Sequence, residues 1–226
     1  MTLILVGDCR EKLLTLSDSS IDCVITSPPY WAIRDYGNEN QIGLEKTPKQ
    51  YVDELVNVFR EIRRVLKDEG TVWVNIGDSY ASYRDPQVPP QSMAGKSRDE
   101  PVAGKAANRD RAMLKSVGLK HKDLVGIPWL FAFAMREAGW YLRQDIIWHK
   151  PNPMPESVKD RCTKAHEYIF LFSKSERYYF DFEAIQDPSG ARKRDVWTVA
   201  TSQYRGAHFA TFPPELIEPC VLAGCL

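Results

Sequence analysis

An apolar run, Ile21 to Thr26, ends abruptly in Ser27-Pro28-Pro29-Tyr30-Trp31, and no other stretch restricts the fold of this chain as tightly. The turn residues Ser17-Asp18-Ser19-Ser20 precede it, so the run is predicted to form a buried strand of a parallel sheet. Two successive prolines fix φ and carry no N–H, which keeps the chain from entering a helix at once. Open α/β sheets bind ligands outside the carboxyl ends of their strands, so this string belongs in a crevice. There Ser27 offers a hydroxyl, the Ser27 and Pro28 carbonyls accept hydrogen bonds, and Tyr30 and Trp31 present flat apolar faces. An exocyclic amino group on a flat ring fits those acceptors and faces. A proline turn that merely closes a strand is the other reading of the string taken alone.

The neighbouring segments alternate in the way an α/β sheet requires. Leu3 to Val6 reads as a short strand ending at Gly7-Asp8, followed by a short helix from Cys9 to Leu16. Residues 32–44, rich in Gly, Asn and Asp, form a loop over the crevice. Thr47-Pro48 opens a helix, with Tyr51, Leu55, Val58, Phe59, Ile62, Val65 and Leu66 at helical spacing on one face. Gly70 turns the chain into a second buried strand, Thr71 to Ile76, which runs into Gly77-Asp78-Ser79. Asp78 there is a site residue or a helix cap. A helix from Lys122 to about Glu137, a strand from Trp140 to Trp148 and a proline-stiffened loop with His149, Lys150 and Asn152 come next. Tyr168 to Ser173 and Tyr178 to Phe182, joined by a polar turn, are predicted to pair as a hairpin.

Charge is balanced, 30 Lys plus Arg against 30 Asp plus Glu, so affinity for a polyanion has to come from local patches. Residues 82–122 carry nine Lys or Arg against four Asp or Glu and few large apolar side chains, which predicts a basic, weakly ordered insertion or a solvated linker. Arg192, Lys193, Arg194 and Arg205, interleaved with Trp197 and Tyr204, make residues 187–206 a second basic stretch. The five cysteines lack paired metal-ligand spacing, so no metal site is expected and the thiols read as reduced. The N-terminal apolar stretch is too short for a signal peptide and no run approaches 18 apolar residues, so the chain reads as a single, cytoplasmic α/β domain with no membrane partner.

The string Thr26-Ser27-Pro28-Pro29-Tyr30-Trp31 resembles the catalytic tetrapeptide of the amino-methylating DNA methyltransferases, the N4-cytosine and N6-adenine family, written (Asp/Asn/Ser)-Pro-Pro-(Tyr/Phe). The resemblance implies a Rossmann-like class I methyltransferase sheet with an antiparallel edge hairpin, prokaryotic or phage-encoded, and double-stranded DNA as partner. It implies that Ser27, Pro28, Pro29 and Tyr30 hold a flipped-out base by its amino group. Serine in the first place is similar to the cytosine branch, with adenine N6 left as the alternative. Trp31, Lys150 and Asn152 are then expected beside the target base or its phosphate. Asp8 would contact S-adenosyl-L-methionine or cap the helix after it, and Phe212 and Pro213 would pack near the methionine end of that cofactor or start a helix. Residues 187–206 would help to recognise DNA.

The family pattern continues past the C-terminal helix into a strand and a glycine-rich turn that wraps the cofactor, and this chain has no Gly-x-Gly to replace that turn. The domain is therefore expected to be incomplete at its C-terminal end, with apolar edges exposed on the Leu3 to Val6 and Ile21 to Thr26 strands. Weak or absent activity is expected from these 226 residues alone. A complementing C-terminal fragment and a restriction endonuclease are the expected protein partners. A non-catalytic DNA-binding remnant is the competing reading.

Overall fold

In a computed structural model, residues 2–81, 111–202 and 211–225 are described. Within them a five-stranded mixed sheet has the order β1-β2-β4-β3-β5, with β1 Ile21–Thr26, β2 Leu66–Ile76, β3 Tyr141–His149, β4 His166–Ser173 and β5 Val196–Thr198. β1 and β2 run parallel, β4 is antiparallel to both β2 and β3, and β3 and β5 are parallel. The predicted α/β class and the buried character of the second strand hold.

Alternation along β2 builds two cores. Val72, Val74 and Ile76 face one side of the sheet and Trp73 the other, as the period of a strand demands. On the first side lie α2 (Pro48–Val65) and α4 (Ile127–Glu137), where Phe59 meets Phe131 edge to face at 5.2 Å. On the second side α5 (Pro214–Gly224) buries Leu216, Cys220 and Ala223 against Trp73, Trp148 and Trp197. The short helices α1 (Cys9–Leu13) and α3 (Arg111–Ser116) complete the described elements.

Local chemistry sets the ends of the helices. Thr47 and Gln50 form a capping box at the start of α2, with Pro48 in its first turn. α4 starts later than its sequence pattern suggests because Gly126, at φ 82°, takes a left-handed conformation before Ile127. Pro128 then falls in the first turn, where its missing N–H costs nothing.

Four expectations are corrected. Residues 3–6 form no strand: Leu3, Ile4 and Val6 are 70%, 79% and 84% exposed, and among the described residues no sheet edge pairs with them. Gly70 is not a turn but lies inside β2, where a Cβ would stand 2.7 Å from the Asp22 carbonyl, so the close approach of β1 explains the glycine. Tyr178 to Phe182 does not pair with β4, because both edges of β4 are taken by β2 and β3; the segment crosses the second face, bonding from the Tyr179 N–H to the Glu69 carbonyl at 2.8 Å and packing Phe180 on Trp73. The antiparallel pairing expected there is formed by β3 with β4 instead. Finally, most of the basic insertion, 82–110, lies outside the described residues, but its end is ordered: α3 buries Leu114 in the first core, and Lys122 pairs with Asp160.

Candidate active site

The register of the sheet brings four separate stretches to one rim. Thr26 lies opposite Val74, so the parallel strands β1 and β2 end side by side and Ser27 follows at the level of Asn75. Ile76 lies opposite Tyr168, and Glu167 opposite Trp148, so the start of β4 and the end of β3 meet the same edge. Ser27 to Trp31, Asn75 to Asp78, His149 to Asn152 and Ala165 to Glu167 are therefore neighbours in space though widely separated in sequence.

Within this rim Pro28 is buried, and Ser27, Pro29 and Tyr30 are half-buried. The Pro29 carbonyl accepts a 2.8 Å hydrogen bond from the hydroxyl of Tyr51, a fully buried residue of α2. The carbonyls of Ser27 and Pro28 are the two main-chain acceptors expected to meet an amine. The Tyr30 hydroxyl lies 2.6 Å from Glu167 Oε2 and 3.2 Å from Asn75 Oδ1, and the Asn75 amide donates to the same Glu167 oxygen at 3.1 Å. Burial, and then the Glu167 charge, push the Tyr30 phenol well above its ordinary range. The other Glu167 oxygen takes the Lys150 ammonium, which also sits 4.1 Å above the Trp148 ring.

Trp31 departs from its expected place. It is 1% exposed, packs into the first core and donates from Nε1 to the Glu45 carbonyl at 2.9 Å, so its ring braces the loop from below and offers no face to a base. Asn152 reaches the rim, but both ends of its amide are engaged with Thr201, through Nδ2 to the carbonyl at 3.2 Å and from the Thr201 N–H to Oδ1 at 2.9 Å. It ties the loop after β3 to the segment after β5. Asp78 accepts from the N–H groups of Gly126 and Ile127 at 3.0 and 3.1 Å, so its carboxylate caps α4 from across the chain.

The residues expected to hold a cofactor lie apart from this network. Asp8 caps α1 and is gripped by Arg10, whose hydrogen bonds hold its carboxyl below the usual range; Arg10 also reaches Glu54. Asp8 lines a cavity of about 490 Å³ with Glu39, Asn40, Gln41 and Glu45, from the loop that follows the tetrapeptide. Pro213 is buried at the start of α5, and Phe212 packs on the second core. The stretch 187–202 holds β5, with Trp197 in the second core and Lys193 over its ring at 5.0 Å; residues 203–206 lie outside the described residues. Neither Asn75 nor Glu167 was singled out by the sequence reading. The signal for Asn75 was present, a polar residue inside the apolar strand from Thr71 to Ile76.

A mixed sheet whose parallel strands end in a Ser-Pro-Pro-Tyr rim, with helices on both faces, defines an α/β methyltransferase. A family model described as DNA methylase, of the N6/N4 type, matches residues 21–226, and the chain belongs to that family. It is 51% identical over 225 residues to Type II methyltransferase M.Cfr9I of Citrobacter freundii, covering 96% of this chain and 70% of the relative. To Type II methyltransferase M.SmaI of Serratia marcescens it is 48% identical, covering 98% and 74%. Among solved structures, the PvuII DNA methyltransferase (cytosine-N4-specific) superposes with a TM-score of 0.68 at 21% identity, over 98% of this chain and 69% of that one. A putative DNA modification methylase of Thermus thermophilus, in complex with S-adenosyl-L-methionine, gives 0.61 at 22% identity, over 96% and 71%.

Proposed function

We propose that this chain transfers a methyl group from S-adenosyl-L-methionine to an exocyclic amino group of double-stranded DNA, at N4 of cytosine. The observation that carries the reading is Ser27 at the head of Pro28-Pro29-Tyr30, on the rim where β1 and β2 end together; there the Ser27 hydroxyl and the Ser27 and Pro28 carbonyls would accept from an amine. An amine whose N–H groups are held by those acceptors keeps its lone pair directed away from them. Such a nitrogen would attack the methyl carbon directly as the carbon–sulfur bond breaks to leave a neutral thioether, and the amine would then give up one proton, so no cysteine nucleophile is needed and orientation would supply most of the rate. Serine in the first position and the likeness to a cytosine-N4-specific enzyme favour cytosine over adenine.

S-adenosylmethionine supplies an electrophilic methyl group on a sulfonium. The cavity beside Asp8 suits a cationic, hydroxyl-rich group, because Glu39 and Glu45 line it as well as the Arg10-paired Asp8. Asp8, Phe212 and Pro213 are the residues of this chain that would hold it. We further read the outer edge of β1, unpaired among the described residues, together with exposed Leu3, Ile4 and Val6, as the place where a complementing C-terminal segment adds strands. On that reading the 226 residues alone bind cofactor weakly and transfer methyl groups slowly. The relatives' Type II designation favours a restriction endonuclease as cellular partner.

The test is transfer of labelled methyl to mixed-sequence duplex DNA, with and without a C-terminal segment from a relative, followed by nucleoside digestion. N4-methyldeoxycytidine is the expected product. N6-methyldeoxyadenosine would move the substrate to adenine, and salt-dependent DNA binding without transfer in either arm would leave a non-catalytic binding protein.

A further inference from the structure

A single carboxylate links its own stretch of the rim to the other three. Glu167, the second residue of β4, has its side chain only 17% exposed and divides its two oxygens between different loops. Oε1 receives the Lys150 ammonium from the loop after β3, while Oε2 receives the Tyr30 hydroxyl at 2.6 Å from the loop after β1. The Asn75 amide, from the end of β2, donates to that same Oε2 at 3.1 Å and to the Tyr168 carbonyl at 3.2 Å. The Lys150 N–H donates to the Ala165 carbonyl at 2.8 Å, so the loop carrying the ammonium is fixed to the same strand end as the carboxylate.

A charge in so enclosed a place is costly unless every lone pair finds a donor, and a buried ion pair is weak evidence for stability on its own account. What this arrangement does is geometric. The far end of the Tyr30 ring is held by Glu167, and one ring edge is held by Gly77, where a Cβ would stand 2.6 Å from Cε2. Lys150, with one of its three N–H donors given to Glu167, keeps two for a ligand that enters between the loops. A cytosine whose N4 amine meets Ser27 carries its N3 and O2 acceptors on the adjoining edge, which is the edge that wants such a donor.

We propose that Glu167 is a positioning residue of the base site: it fixes the Tyr30 ring and the Lys150 ammonium where the extruded base meets both. The proposal rests on the methyltransferase reading above and adds a residue to it. Glu167 itself need not touch the base; it acts through Tyr30 and Lys150.

The test compares the full chain with Glu167→Gln and Glu167→Asp, supplied with the C-terminal segment where the chain alone is slow. Single-turnover methyl transfer at saturating DNA, read per active site well below the melting temperature, is expected to fall by about 100-fold in Glu167→Gln, the scale for displacing a reacting group by roughly 1 Å. KM for DNA should change little. Glu167→Asp, too short to reach both partners, should not rescue the rate. A merely structural residue would instead lower the folded fraction and leave the rate per active site intact, which would overturn the proposal. A second readout needs no catalysis: chemical modification of lysines with peptide mapping. Lys150 should be protected in the parent chain and approach the reactivity of exposed Lys115 in Glu167→Gln. Unchanged protection of Lys150 would also overturn the proposal. Absence of transfer by the parent chain in every arm would refute the methyltransferase reading and leave this second readout to decide the network.

Discussion

Replacing Gly77 with alanine adds one methyl group at the tightest point of the site. Gly77 does not need a left-handed backbone, so the cost arises from space alone: the new Cβ would lie 2.6 Å from Tyr30 Cε2 and 3.1 Å from Cδ2. The ring cannot swing aside freely, because its hydroxyl is bonded to Glu167 at 2.6 Å and the neighbouring Pro29 carbonyl is held by Tyr51 at 2.8 Å. Overpacking of this kind costs about 1–3 kcal/mol, and a domain of this size loses roughly 2–4 °C in melting temperature per kcal/mol. Urea unfolding of Gly77→Ala should therefore show a lowered midpoint at unchanged slope. The assay becomes decisive as a double-mutant cycle with Tyr30→Ala, since removing the ring removes what the methyl group strikes. The penalty of Gly77→Ala should vanish in that background. An equal penalty in both backgrounds would refute the placement of the Tyr30 ring against β2.

Three further outcomes follow from the same geometry. Trp31→Ala should cost about 3–5 kcal/mol of stability as a core truncation, while target-base affinity measured on the folded fraction stays near that of the parent; an affinity loss without a stability loss would restore Trp31 to the base site. Asp78→Ala should lower stability by about 1–2 kcal/mol, the worth of a helix N-cap, and native-state hydrogen exchange should show the loss at Gly126 and Ile127, whose N–H groups it accepts. Burial, and secondarily Glu45, raise the Tyr51 phenol above its ordinary range, so its folded value exceeds its unfolded one. Its contribution is then complete below about pH 10 and is lost as pH rises above that value. Urea unfolding between neutral and strongly alkaline pH should show a shallower alkaline decline for Tyr51→Phe than for the parent, and equal declines would contradict the assignment. Tyr30 and Cys23, whose thiol burial pushes up to about 12, add to the same decline and remain in the variant.

Where periodicity and caps agreed, the sequence was sufficient. The capping box at Thr47 and Gln50, the apolar face of α2 and the alternation along β2 are local patterns, and each appears where its residues predict. The rim itself was legible because two prolines after a buried strand have few places to go. What could not be read was pairing between distant strands. Tyr178 to Phe182 has the composition of a strand, yet β4 had already committed both edges to β2 and β3, and nothing local in either segment reveals that. Trp31 failed for a related reason: one position after Tyr30 the chain turns inward, and Ala32, at φ 53°, marks the change of direction. Glu167 stood unnoticed because a carboxylate before an apolar run usually marks a solvated strand end. Its significance depends on Tyr30 and Lys150 reaching it from 137 and 17 residues away.

The central claim is that the Ser27 hydroxyl, beside the Ser27 and Pro28 carbonyls, and the Tyr30 ring hold the reacting amine at the rim; Ser27→Ala removes that hydroxyl and keeps both carbonyls. Single-turnover methyl transfer by Ser27→Ala, with the parent chain and Tyr30→Ala alongside and the product read by nucleoside mass spectrometry, tests this directly. Both substitutions should sharply reduce formation of the N4-methylated nucleoside while leaving the fold intact by circular dichroism. Transfer at the parental rate by both variants would contradict the central claim and place the chemistry elsewhere on the molecule.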